Sequence, residues 1–526
     1  MRLSGKLRLA FAKARELGPA GLLRLVRDRR AVARSPLFDA EWYLANNPDV
    51  ADARVDPVLH YILFGGIHGR SASASFVSDE YLSLNPDVRA AGANPLVHYE
   101  TRGRREGRRI SSIDLPLPVT YESHQASFPA KCAALAAKRA AGTSLRVAFL
   151  VTDAAMFPAR PLFSAMLDAS DFDPRVVVIP DLRWRDARPE DAMERCARAL
   201  LDGGVPADSL SIAARGGDGG WRDELEGADL VCYPSPYELS SFRYNPRYSV
   251  GRPFLPFSVN YGFYRSLYDR KVMANQSYAW MWKAFFECEA TADEYRRCSA
   301  IGGANVEVVG YVKMDPLAAE LERSRAVRAG APKRVLVALH HTVEGGANDT
   351  LALSAFMSLS DYFMELPDRF PEVEFAFRPH PYLLKILSRP GQWGEERTRD
   401  YFGRLRAKRN VRWSDGADYF RDFAESDACI QDCGSYLVEY LYTGKPCCYM
   451  LKSPGDAEAK FAPLGRECLK RCSIAYGAED IDAFLRGTVL GGDDPKSADR
   501  AAFAKSLAVN WPHAAESALE RIRAAL

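Results

Sequence analysis

The chain has 526 residues, with 70 Lys and Arg against 68 Asp and Glu, for a formal charge of +2. A hydrophobic content of 47% and a charged content of 26% exclude a disordered chain, a collagen and a small disulfide scaffold. At about 100–200 residues per domain the length predicts three or four domains, and the near-zero charge argues against a general polyanion binder. The total hides an asymmetry. The first 35 residues hold ten Lys and Arg and two acids, so they carry +8 and the other 491 residues carry −6.

In that leader Leu3, Leu7 and Phe11 recur every four residues and share one helical face, with basic residues around it. Gly18-Pro19 interrupts the pattern, and a second apolar-basic stretch follows over Leu22–Ala33. One reading is a helix lying on an anionic membrane surface, where each basic residue contributes about 1 kcal/mol. The other is a helix packed on its own domain. The longest apolar runs, such as Val147–Val151 and Val176–Pro180, fall far short of the roughly 18 residues that span a bilayer. The N-terminus lacks the continuous apolar core of a secretory signal. Eleven scattered cysteines, among them Cys429/Cys433 and Cys468/Cys472 four residues apart, match no zinc pattern and read as reduced thiols. The expected location is the cytoplasm, at the inner face of the plasma membrane if the leader binds lipid.

Residues 38–70 and 76–108 repeat with a period of 38. Phe38/Phe76, Tyr43/Tyr81, Asn47/Asn85, Pro48/Pro86, Asp49/Asp87, Pro57/Pro95, His60/His98, Tyr61/Tyr99, Gly65/Gly103 and Gly69/Gly107 all match. A fixed period with matching punctuation is one supersecondary unit used twice. Asn-Pro-Asp and the second proline open helices, so each unit is expected to be a helix pair. His60 and His98 read as hydrogen-bonding residues of an aromatic core rather than as metal ligands. The pattern resembles repeats found beside the catalytic domains of bacterial polysaccharide-synthesising transferases.

From residue 145 short β-branched runs alternate with helical stretches. The expected strands are Arg146–Val151, Arg175–Ile179, Leu230–Tyr233, Val306–Val309, Arg334–Leu339, Val373–Arg378, Val411–Trp413, Ala428–Gln431 and Cys447–Met450. Their runs are continuous, as in parallel strands buried on both faces. The polar stretch Ala318–Lys333 divides them into two sets. The fold class is therefore α/β, with two Rossmann-like lobes and a cleft between them. The expected organisation is a leader over 1–35, the repeats over 36–112, a linker over 113–143, an acceptor-side lobe over 144–316 and a donor-side lobe with C-terminal helices over 317–526. There is no G-x-G-x-x-G and no Walker A motif, which disfavours dinucleotide and P-loop chemistry.

Three loops in the second lobe each follow an expected strand. The first, Leu339-His340-His341-Thr342-Val343-Glu344-Gly345-Gly346, sets proton-transfer groups beside exposed amides. Neighbours in an extended segment point opposite ways, so one of the two histidines is expected to face the cleft. The second, Phe377-Arg378-Pro379-His380-Pro381, fixes an Arg and a His between prolines, which suits a phosphate. The third runs from Ser426 through Asp432, Gly434 and Ser435 to Glu439 and Pro446. There Ser435 reads as an N-cap or phosphate ligand, and Glu439, one turn further on, as a ligand for ribose hydroxyls.

Arg378–Pro381 and Ser426–Pro446, with Gly310-Tyr311-Val312-Lys313-Met314-Asp315 near the lobe junction, resemble the CDP-glycerol glycerophosphotransferase (teichoic-acid polymerase) family. The resemblance spans roughly residues 230–455. It implies a two-lobed glycosyltransferase-B fold, cytidine-diphosphate donors and no obligatory metal or cofactor. The family's first-lobe His-Gly-Thr-Pro loop is missing. Its nearest counterpart is Asn260-Tyr261-Gly262-Phe263-Tyr264, so Tyr261 and Gly262 become acceptor-side candidates. Tyr261 cannot replace a histidine base at neutral pH without a large pKa shift. The family's PTWR-like segment is replaced by His340-His341-Thr342.

The expected function is transfer of a polyol phosphate from a CDP-activated donor to a glycan or lipid-linked acceptor in bacterial surface-polysaccharide synthesis. His340, His341 and His380 are the candidate catalytic residues. Arg378, Asp432, Gly434, Ser435, Glu439 and Thr342 are the candidate donor ligands. The alternatives are a nucleotide-sugar glycosyltransferase of the same fold and a non-catalytic scaffold. Nucleic acid is not an expected partner, because the basic charge is confined to the leader.

Overall fold

A computed structural model describes residues 21–526 except 48–49, 52–54, 74, 111–120, 182–187, 217–220, 234–239, 268, 270–272, 274–276, 329, 344–351, 390 and 416–418. The first half of the leader and Glu344-Gly345-Gly346 therefore lie outside the described residues. The second apolar-basic stretch is a helix over residues 21–34. It packs Val32 into the core of the repeats, and Arg29 pairs with Asp56 at 3.0 Å.

The two repeats use the same bonds at the same positions. Tyr43 Oη meets His60 Nδ1 at 2.8 Å, and Tyr81 Oη meets His98 Nδ1 at 2.8 Å. Asn47 and Asn85 each donate to the carbonyl of that tyrosine at 2.8 Å. Both histidines are thus structural. Asp56 and Asn94 cap the helices that open at Pro57 and Pro95. The second unit contains three short helices, Ser78–Leu84, Pro86–Ala90 and Pro95–His98, rather than the expected pair. The matched glycines are dictated by the matched tyrosines. A Cβ on Gly65 would lie 2.0 Å from Tyr43 Oη, and one on Gly103 2.4 Å from Tyr81 Oη.

The first lobe is one parallel sheet of seven strands: β1 (Leu145–Val151), β2 (Phe172–Val178), β3 (Leu210–Ile212), β4 (Leu230–Tyr233), β5 (Leu255–Val259), β6 (Lys283–Phe286) and β7 (Val306–Val308). They lie in the order β3-β2-β1-β4-β5-β6-β7. The second is a parallel sheet of six: β8 (Arg334–Ala338), β9 (Glu374–Phe377), β10 (Val411–Trp413), β11 (Ala428–Gln431), β12 (Cys447–Met450) and β13 (Ser473–Ala475). Their order is β10-β9-β8-β11-β12-β13. Both are doubly wound, with helices on both faces. Central strands such as β4, β5, β11 and β12 are buried along their whole length.

The chain ends by crossing back. Where the sequence groups the C-terminal helices with the second lobe, the last one, Ala514–Ala524, packs Ala514, Ala515, Ala518, Leu519 and Ile522 into the first lobe's core. Asp315 accepts from the amides of Ala514 and Ala515 at 3.2 and 2.8 Å and so caps that helix from the lobe junction. Gly310, with φ +100°, lets the Val509 carbonyl approach; a Cβ there would lie 2.1 Å from that oxygen. The Gly310–Asp315 segment thus anchors the returning chain.

Gly103→Ala should destabilise by roughly 1–3 kcal/mol through overpacking against Tyr81. Gly403→Ala, in the helix Glu395–Arg406 with no neighbouring atom within 4 Å, should instead stabilise by up to about 1 kcal/mol. Thermal melting of the two variants should shift in opposite directions.

Candidate functional site

Strand register assembles the second lobe's loops. Val337 pairs with Phe377 and Ala338 with Gln431, so the residues leaving β8, β9 and β11 emerge side by side. The ladder continues past the strands. Arg378 N donates to Val337 O and His380 N to Leu339 O, both at 2.8 Å. His340, His380 and Asp432 therefore meet at the carboxyl edge of the sheet, where doubly wound folds bind ligands.

Three imidazoles cluster there. The ring centroids lie 4.4 Å apart for His340–His341, 4.2 Å for His341–His380 and 5.8 Å for His340–His380. The expectation that only one of the adjacent histidines faces this side is corrected. The chain bends at His341, just past β8, and both rings gather on the same side. His340 Nδ1 accepts the Thr342 amide at 3.3 Å and meets its hydroxyl at 2.8 Å. His380 Nδ1 accepts the Tyr382 amide at 3.1 Å. An amide can only donate, so in both rings the proton sits on Nε2. His341 Nδ1 is buried without a hydrogen-bond partner. Burial holds all three neutral: His380 is pushed down to about 3 and His341 to about 4. His340 lies well below its usual value, through burial first and then the neighbouring His341, His380 and Arg265. Among the described residues no group of three or more His, Cys, Asp or Glu is placed to hold a metal ion.

The remaining second-lobe candidates sort by contact. Arg378 Nη1 donates to Asp422 at 2.9 Å and to Ser414 at 2.8 Å, and its Nε donates to Tyr436 Oη at 3.1 Å. Asp432 is fully buried. Its Oδ1 accepts from His340 N at 2.5 Å and its Oδ2 from Ala355 N at 2.8 Å. Burial pushes it up to about 7. Both oxygens of Asp432 thus hold the loops around His340 and Ala355. Thr342, 3% exposed, accepts from Leu353 N at 3.0 Å and likewise holds the loop. Cys433, not Ser435, holds the N-cap position of the helix Gly434–Glu439, and its side chain makes no capping hydrogen bond. Both oxygens of Glu439 are taken. Tyr311 at 3.1 Å and Lys313 at 3.3 Å reach Oε1, and Tyr419 at 2.8 Å reaches Oε2. Glu439 is 2% exposed, and these bonds make it a lobe-to-lobe contact in this structure.

The first lobe contributes the carboxyl ends of β5, β6 and β7. Asn260 donates to Glu287 Oε2 at 2.7 Å and to Gly262 O at 2.9 Å. Burial raises Glu287 to about 7, and its Oε1 has no partner. Tyr261 and Gly262 are partly exposed at this edge, and Tyr261 O accepts from Tyr311 Oη at 2.9 Å. Two cations here were not singled out from the sequence. Lys313 pairs with Glu439 and lies 5.1 Å from the Tyr419 ring centroid. Arg265 crosses to the second lobe, where its Nη2 donates to Ser435 Oγ at 3.4 Å. No local motif marks Arg265; its partner lies 170 residues away.

Two doubly wound parallel sheets facing across a cleft form the glycosyltransferase-B architecture, and this chain has it. No protein-family model and no curated protein matches the chain. Similar solved structures include the wall teichoic acid polymerase TagF, at 12% identity over 72% of this chain and 88% of that one, with a TM-score of 0.48. UDP-GlcNAc 2-epimerase from Neisseria meningitidis bound to UDP-GlcNAc is similar at 12% identity over 73% of this chain and 100% of that one, with a TM-score of 0.45. The S. aureus MnaA–UDP complex is similar at 12% identity over 72% and 96%, with a TM-score of 0.43. Likeness at this level gives no residue of this chain a role. No helix among the described residues is long and apolar enough to cross a membrane.

Because His341 and His380 titrate lower in the folded chain than in an unfolded one, where histidine sits near about 6.5, the unfolded state binds more protons between those values. Their contribution to stability is complete above about pH 6.5 and is lost as pH falls toward about 3–4. Asp432 and Glu287, raised to about 7, act in the opposite direction between pH 7 and pH 5, so the test is the variant. Urea unfolding should show the change in stability from pH 7 to pH 5 shifted in the stabilising direction in His380→Asn relative to the wild type.

Proposed function

We propose that the cleft binds a nucleotide-activated donor and transfers a polyol phosphate from a CDP-linked donor to a glycan or lipid-linked hydroxyl in bacterial surface-polysaccharide synthesis. The observation that carries this reading is the cluster of neutral imidazoles at the ends of β8 and β9, opposite Arg265 of the first lobe. Nε2–H groups on His340 and His380 are donors beside the guanidinium groups of Arg265 and Arg378, whose own carboxylates, Asp269 and Asp422, are already paired with them. Such a surface suits the oxygens of a diphosphate. The resemblance of Arg378–Pro381 and Ser426–Pro446 to the glycerophosphotransferase family supports the CDP donor.

In this reading the acceptor oxygen attacks the distal phosphorus of the donor. A new P–O bond forms, the bond to the bridging oxygen breaks, and CMP leaves. His341 takes the hydroxyl proton, because its Nδ1 is the ring nitrogen without a partner. A group held at about 4 is a weak base, but the charge of a bound donor raises it. This assignment fills the place of the missing first-lobe histidine without calling on Tyr261. The residues that hold the cleft's shape, Asp432, Thr342 and Glu439, act through position. The repeats and the basic leader set this lobe pair in the setting of a surface-polymer assembly, with residues 1–35 as the contact to an anionic membrane.

His341→Asn and His380→Asn should each lower kcat by about 10²–10⁴-fold while leaving the melting temperature within a few degrees. Incubation with CDP-glycerol and a polyol-phosphate acceptor should release CMP. Release of a nucleoside diphosphate from a nucleotide sugar instead would identify a glycosyltransferase. Absence of any nucleotide binding would leave the scaffold reading.

A further inference from the structure

Arg265 is fixed from both lobes more firmly than a surface arginine needs to be. Its own carbonyl accepts the Ala462 amide at 3.0 Å, Ser266 pairs antiparallel with Phe461, and Leu267 N donates to Lys460 O at 2.9 Å. These bonds join a first-lobe loop to a second-lobe segment as a short two-stranded stitch. Asp269 Oδ2 accepts from the amides of Arg265 and Ser266 at 3.1 and 2.8 Å, which closes the turn below the side chain. Gly465 makes the approach possible, since a Cβ there would lie 2.1 Å from the Arg265 carbonyl oxygen.

The guanidinium is only partly used. Nη1 donates to Phe263 O at 3.0 Å and to Asp269 at 3.2 Å, and Nη2 donates to Ser435 at a long 3.4 Å. Nε is buried with no partner. A buried N–H left unpaired costs free energy unless a ligand supplies the acceptor. Around it stand groups that donate or are neutral: the His340 ring, the Ser435 hydroxyl and the close backbone of Gly434, whose Cβ position lies 3.2 Å from Arg265 Nε. The carboxylates that bear on it are already committed, Asp269 to the turn and Glu439 to Tyr311, Lys313 and Tyr419.

We infer that Arg265 is a first-lobe ligand for the diphosphate of the nucleotide donor, held in place before the donor arrives by the 265–267/460–462 stitch and Gly465. This rests on reading the cleft as a donor site. The phosphate oxygens complete the unpaired Nε–H, and the guanidinium stabilises the charge that gathers on the departing nucleotide phosphate. The stitch makes this contact part of the resting protein rather than a product of lobe closure. Gly465 is a positioning residue, because it touches no ligand.

Isothermal titration with CDP, repeated at several salt concentrations, tests this on the full chain. Arg265→Gln should bind CDP about 10- to 100-fold more weakly, the loss of one charge-assisted contact. Its salt dependence should be shallower. Arg265→Lys should recover part of the affinity. Gly465→Ala, which keeps the charge but displaces the Arg265 carbonyl, should weaken CDP binding as well and leave a cooperative melting transition. Arg404→Gln removes an exposed charge on the helix Glu395–Arg406 and should bind like the wild type. Equal CDP affinity and salt dependence in Arg265→Gln and Arg404→Gln would overturn the inference while leaving the donor-site reading intact. A wild-type chain that binds neither CDP nor UDP would overturn the donor-site reading itself, and the inference with it.

Discussion

The two lobes are held in register by a short antiparallel pairing, and the rest of the site depends on it. Residues 265–267 leave the carboxyl side of the first sheet, and residues 460–462 lie in the crossover from β12 to β13 of the second. Backbone bonds between them set where Arg265 lies relative to Gly434, Ser435 and His340. A second set of contacts, from Tyr311 and Lys313 to Glu439, fixes the other side of the same cleft. Neither contact is local in sequence: the first joins a first-lobe loop to the segment between β12 and β13, and the second joins the Gly310–Asp315 segment to the helix that follows β11. The lobes are thus joined at the edge where chemistry would occur, and the geometry of that edge is set before any ligand binds.

Burial decides the electrostatic character of the cleft. Taking imidazoles out of water removes their charge, so three histidines a few ångströms apart coexist without repulsion. The same desolvation raises Asp432 and Glu287 toward neutrality. The site keeps its arginines charged while histidines and buried carboxylates approach neutrality. That balance favours an incoming anion. Asp432 within this balance holds a loop: its oxygens accept the amides that place His340 and the helix beginning at Phe356.

Much of this was legible in the sequence because the second lobe writes its site locally. Each of its three candidate loops follows a strand with an unbroken apolar run, and register then brings the loop ends together. The repeats were legible for a similar reason, since Tyr43, His60 and Gly65 recur as one contact set. The less legible strands have physical causes. In β5 a proline interrupts the apolar run, in β6 a lysine opens a four-residue segment, and β3 and β13 are three-residue edge strands that are only partly buried. Arg265, and Lys313 within the Gly310–Asp315 motif, were not legible as site residues because their cross-lobe partners, Ser435 and Glu439, lie 170 and 126 positions away. Glu439 stood out, but the sequence could not show that two tyrosines and a lysine, all distant in the chain or on another loop, bond to it. The leader splits in the same way: Val32 packs into the repeat core, whereas Leu22, Leu23 and Val26 of the same helix stay exposed and, with the amphipathic pattern at Leu3, Leu7 and Phe11, carry the membrane proposal.

The central claim is that a neutral, donor-rich cleft receives a diphosphate. Its most direct test is proton linkage on binding. CDP-glycerol suits the measurement, because its bridged diphosphate does not titrate near neutrality. Calorimetric titration at pH 6 in two buffers of different ionisation enthalpy reports the protons exchanged. Negative charge beside His341 and His380 raises them from about 4 and about 3. The account therefore predicts net proton uptake on binding, reduced in His341→Asn and His380→Asn. Binding with no proton exchange, or with exchange unaffected by either substitution, would contradict it.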